Sequence, residues 1–175
     1  MKLYRLRTKV KSPANAVLYP QGKIYDAIYD FAIFKKLDPK NLPKYLIGKC
    51  QWGISADQLL KLDYLHAYGN IPIFSNKFLE TANNINLEMD FVKTTIMAED
   101  VQVEFNIGRI LNSIEILDHE KSKIGSGDYF LNSMQSDFFI ARDSLQESVF
   151  AVSERFKDWA SKNKLNIGYA EVTYS

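Results

Sequence analysis

The chain is 175 residues long, 46% hydrophobic and 25% charged, with a formal net charge of +1 and a single cysteine, Cys50. That length fits one domain over residues 1–175, which buries roughly 70% of its unfolded surface and needs no disulfide or metal to stay folded. One cysteine excludes an internal disulfide, and no uncharged apolar run approaches about 18 residues, so a transmembrane helix is not expected. With no secretory pattern at the start, the expected location is cytoplasmic.

Residues 2–7 alternate apolar and basic side chains and predict a half-exposed strand. Ser12–Asn15 and Tyr19–Gly22 are turn punctuation. Residues 24–34 put Ile24, Ile28 and Phe31 on a helical stripe but are rich in β-formers, so the pattern fits either element. Prolines 39 and 43 mark a loop, and the short run Tyr45–Ile47 is expected to stop at Gly48. Ser55 opens a short helix that the composition carries to about Tyr64. Val101, Val103, Phe105 and Ile107 alternate with polar residues as a strand. The register slips after Gly108, which predicts one long strand reaching Leu117 with a bulge at that glycine. Gly125–Asp128 is a turn, and Tyr129–Leu131 and Phe138–Ile140 are short strands.

Ile71–Ala82 (IPIFSNKFLETA) returns, degenerate, as Val149–Ala160 (VFAVSERFKDWA), aligning Ser75 with Ser153, Phe78 with Phe156 and Ala82 with Ala160. A serine after a β-type run is a helix N-cap signal, so a strand–Ser–helix–strand unit is expected twice. Unit one comprises a strand at 71–74, a helix at 76–84 and a strand at 87–95. Unit two places its helix at about 154–164 and a closing strand at 166–174. Phe74 and Leu79 suit a hydrophobic staple; their counterparts Val152 and Lys157 do not. Trp159 is expected on a core-facing helix stripe. The fold class is α+β, a mostly antiparallel sheet with a few short helices.

Charge is uneven: +8 over residues 1–50, −7 over 51–120, and balanced beyond. Lys35, Lys36, Lys40 and Lys44 open a nucleic-acid reading, but they are scattered among turn residues and no RNP-type aromatic run accompanies them. Asp118-His119-Glu120-Lys121-Ser122 gathers an acid, a base and a hydroxyl, which opens a hydrolase reading. Sequence neighbours point apart, however, and solvated turn residues with Asp118 or Ser122 capping backbone are the plainer alternative. Cys50 has no ligand-spaced partner and Gly125-Ser126-Gly127 has no helix after it, so no metal and no cofactor are expected.

Leu117-Asp-His-Glu-Lys-Ser122 at a strand end and Val149-Phe-Ala-Val-Ser-Glu-Arg-Phe156 before a helix, together with the earlier copy at 71–82 and the start Met-Lys-Leu-Tyr-Arg-Leu, give a pattern over residues 71–175 and the first few. In it the chain resembles a family of bacterial immunity proteins from polymorphic-toxin and contact-dependent toxin systems. It departs from that family at Gly108-Arg109 and between Ser122 and Val149, and residues 8–70 match little of it. The resemblance implies a small cytoplasmic antidote that occludes the active site of a cognate toxin domain without chemistry. Many such toxins are nucleases with basic clefts, for which Glu99, Asp100, Glu104, Glu115, Asp118 and Glu120 are the candidate contacts.

Overall fold

The computed structural model describes residues 2–10, 16–51, 53–123, 131–132 and 137–172. Among them the chain is α+β and mostly sheet, with two separate sheets. The barrel comprises β2 (Val17–Leu18), β3 (Ile47–Cys50), β4 (Tyr64–Ala67), β5 (Ile71–Ser75), β6 (Met89–Ala98) and β7 (Val101–Ile110), closed in the order β2-β3-β6-β7-β5-β4. The second sheet has five strands: β1 (Leu3–Arg7), β8 (Ser113–Ile114), β9 (Ile140–Asp143), β10 (Phe150–Ser153) and β11 (Gly168–Val172), ordered β11-β1-β10-β9-β8. Four helices accompany them: α1 (Lys23–Ala32), α2 (Ala56–Leu59), α3 (Asn76–Ala82) and α4 (Glu154–Lys162). Seven of the ten strand ladders are antiparallel, which is the predicted balance.

Both repeat units form, and both have one topology. In the first, β5 leads through α3 to β6, and the antiparallel β7 lies between those two strands. In the second, β10 leads through α4 to β11, with the antiparallel β1 between them. Each is a split β-α-β unit, the flanking strands parallel because each is antiparallel to the one between. The caps lie where the sequence puts them. Ser75 accepts from the Phe78 N–H at 3.1 Å and Ser153 from the Phe156 N–H at 3.4 Å. The aligned phenylalanines then meet: the Phe78 and Phe156 rings lie 6.1 Å apart and Trp159 packs edge-on against both. This aromatic layer, with Phe74, Tyr64 and Val152, joins barrel and sheet.

Elsewhere the structure departs from the pattern. Of residues 24–34, all up to Ala32 resolve as helix: Ile28 and Phe31 are fully buried against the barrel interior, and this burial outweighs the β-propensity. The helix opened by Ser55 lasts one turn, because Leu62 to Ala67 is drawn into the core as β4 begins. Gly48 does not end the run before it but sits inside β3. A Cβ there would fall 2.6 Å from Val17 Cγ1 and 3.1 Å from Ile96 Cδ1, so the narrow barrel admits only hydrogen.

Gly108 carries no bulge. It pairs Phe91 in an unbroken ten-residue ladder, and its missing side chain makes room for Met89 and Phe74. The register slip instead marks a change of sheet: β7 ends at Ile110, and β8 joins β9 in the other sheet. Leu117 forms only an isolated bridge with Leu131, and β9 begins at Ile140 where a strand over 138–140 was expected. Ser12–Asn15, Gly125–Asp128 and most of Tyr129–Leu131 lie outside the described residues.

Candidate functional site

The ladder registers place the β6–β7 turn at one end of the barrel and the β4–β5 turn at the other. Glu99 and Asp100 form the β6–β7 turn, whereas Glu115, Asp118 and Glu120 follow β8. The whole of β7, about 33 Å long at ~3.3 Å per residue, and the change of sheet after it lie between the two groups along the chain. The six predicted carboxylates do not form one face.

Their surroundings divide them further. Glu104, midway along β7, is held by Lys93 Nζ at 3.1 Å and Asn76 Nδ2 at 3.1 Å, and the lysine keeps its carboxyl below the usual range. Asp118 is bridged to Lys121 at 3.1 Å, lowering its carboxyl likewise, and accepts the Lys121 N–H. Glu115 accepts from Asn132 at 3.1 Å, and Glu120 is exposed in the turn.

At the hairpin tip, Glu99 Oε2 accepts the Ala56 N–H at 3.4 Å, setting the tip against the first turn of α2. That turn is fixed by a capping box between Ser55 and Gln58, and it brings in Asp57, which the sequence reading did not select. Asp57, Glu99 and Asp100 are all exposed, and among the described residues none forms an ion pair. The signal for Asp57 was the Ser-x-x-Gln box itself, which orients the residue inside it. A cleft of about 370 Å³ beside the tip is lined by Cys50, Ser55, Gln58 and Glu99 among others, and burial raises the Cys50 thiol to about 11.

The residues of the hydrolase reading are not assembled as a triad. Asp118 and Ser122 share a turn closed by the Ser122 N–H to the Asp118 carbonyl. His119 turns away to Asp143, with Nε2 and Oδ1 2.9 Å apart. Asp143 is fully buried and also accepts the backbone N–H groups of Ile116, Leu117, Leu145 and Gln146 at 2.7–3.0 Å. A carboxylate so placed fixes the β8 and β9 connections.

A second buried carboxylate, Asp63, lines a cleft of about 500 Å³ where the sheets meet. It accepts from Ser75 Oγ at 2.5 Å and from the Asn166 N–H at 2.7 Å, with Lys77 Nζ at 3.5 Å. Sequence reasoning missed it, since a lone Asp between Leu62 and Tyr64 carries no motif. Ser75 is engaged both as acceptor for the cap and as donor to this carboxylate.

The lysines of the nucleic-acid reading are dispersed. Lys35 binds the Leu111 carbonyl at 3.1 Å, its ammonium lowered by burial and then by Arg142, while Lys36 and Lys44 lie over Phe34 and Tyr45. Lys40 sits in the exposed 3-10 turn Pro39–Asn41. Among the described residues no group of three His, Cys, Asp or Glu is arranged to hold a metal. No helix among them is long and apolar enough to cross a membrane. The chain matches no protein-family model, and no curated protein sequence matches it.

Proposed function

We propose that the protein is an immunity protein, a cytoplasmic antidote that neutralises a cognate secreted toxin domain by stoichiometric binding. The observation that carries this reading is the acidic tip of the β6–β7 hairpin. Asp57, Glu99 and Asp100 are exposed together without counter-ions among the described residues, while Glu104 and Asp118 are already engaged by lysines. Unneutralised carboxylates at the end of a rigid hairpin steer a basic partner and penalise partners of the wrong charge. The partner is then a toxin with a positively charged cleft, a nuclease being one such class, and the tip covers that cleft. The engagement of Ser75, Ser153, His119 and Asp118 in caps and turns supports binding over catalysis as their role.

The test is co-expression with the toxin domain encoded in the adjoining reading frame. The wild-type chain restores growth. The Glu99→Lys/Asp100→Lys pair slows association about tenfold or more at low salt and flattens its salt dependence. A wild-type chain that neither rescues growth nor co-purifies with the toxin would overturn the reading.

A further inference from the structure

A groove of about 740 Å³ runs along α4 into the start of β11. Three lysines line it, Lys9, Lys157 and Lys164, with Ser161, Gly168 and Tyr169, and no carboxylate does. None of the three ammonium groups forms an ion pair among the described residues. Lys157 lies 4.2 Å over the Tyr4 ring, which meets Tyr169 edge-on at 6.2 Å, so one cation is anchored beside that phenol. The Tyr169 hydroxyl is shielded from solvent and makes no hydrogen bond among the described residues, so Tyr169 borders the groove with its ring and not its hydroxyl.

Two features of the chain itself bear on these residues. Lys157 stands where the first repeat unit has Leu79, at the position of the hydrophobic staple, so a charge replaces a packing residue. Lys164 has φ +53° just beyond the α4 C-cap, a conformation that favours glycine or asparagine. A cation near a helix C-terminus complements the helix dipole, which accounts for Lys164 in part, but not for Lys9 on another element or Lys157 in the first half of α4.

We propose that this groove binds a phosphate-bearing small molecule, its phosphate oxygens held by Lys9, Lys157 and Lys164 with the Ser161 hydroxyl as donor. Lysine serves phosphate as a mobile point charge, and three of them suit a group of charge near −2 or beyond better than one carboxylate. The groove is larger than one phosphate requires, leaving space for an organic body. This site is independent of the toxin reading and lies on different residues.

Calorimetric titration of the full chain tests it, with pyrophosphate, inorganic phosphate and a short single-stranded DNA as probes at low salt. Pyrophosphate binds, and more tightly than phosphate. Lys9→Met and Lys157→Met each weaken it about tenfold, the loss of one charge-assisted hydrogen bond. Lys164→Gly weakens it likewise while raising Tm by about 2–4 °C, because glycine relaxes the backbone at that φ. No binding of pyrophosphate, or binding indifferent to Lys9 and Lys157, overturns the proposal. Tight DNA binding that pyrophosphate does not displace overturns it in favour of a nucleic-acid surface.

Discussion

Arg142 shows how much a single buried residue can decide. It is fully enclosed on β9, donates from Nη2 to the Ala32 carbonyl at 2.9 Å, and leaves Nε and Nη1 without a partner among the described residues. Burial depresses its guanidinium to about 10. For a base, a lowered folded-state value means that the fold disfavours the charged form. The penalty is present in full below about pH 10 and is relieved as pH rises from there toward 12.5. The depression corresponds to a penalty on the order of 3 kcal/mol, partly offset by the bond to Ala32 at the C-terminal end of α1. Arg142→Met is therefore expected to be more stable than wild type by about 1–3 kcal/mol at neutral pH, with the gain shrinking above pH 10. Urea unfolding at the two pH values checks this, and a less stable Met variant would show that the Ala32 bond outweighs the desolvation.

Helix ends are the elements the sequence reads best. A Ser–helix junction is local chemistry: an extended residue whose hydroxyl accepts the N–H three residues on, which needs no knowledge of the rest of the chain. Ser153→Ala should lower stability by about 1 kcal/mol in urea unfolding. Ser75→Ala should cost about 2 kcal/mol, since Ser75 also donates to Asp63. Equal losses would mean that the Asp63 contact contributes nothing net. Strand limits were harder to read. Apolar alternation marks β7 clearly, but the same alternation continues past Ile110 after the chain has left the barrel, so periodicity registers a slip without its cause. Two glycines mislead for a related reason. Gly48 and Gly108 are demanded by side chains from distant strands, Val17 and Ile96 in one case, Met89 and Phe74 in the other. In isolation a glycine suggests a stop or a bulge.

At the scale of the molecule, barrel and sheet are joined by the aromatic layer around Phe78 and Phe156 and by the polar clasp of Asp63 on the Asn166 N–H. Asp63 sits just before β4 while Asn166 lies between α4 and β11, so the clasp links the first repeat unit's surroundings to the second's. Asp63→Ala leaves three donors without their acceptor and is expected to destabilise by about 2–4 kcal/mol. Stability equal to wild type would show that the aromatic layer alone holds the junction. The same scale divides the charges. The sequence reports an acidic middle, and the fold distributes it along and beyond β7, leaving the tip carboxylates without counter-ions among the described residues while lysines hold Glu104 and Asp118.

By itself the sequence determined the α+β class, the first strand, both serine caps, the duplicated strand–helix–strand unit and the buried face of each repeat helix, because these depend on neighbours within a few residues. Tertiary structure alone decided the closure of the barrel, the split topology that places β7 and β1 between the parallel strands, the burial of Asp63, Asp143 and Arg142, and the company each acidic residue keeps. Those depend on pairings between segments tens of residues apart, for which a residue's own neighbourhood holds no record.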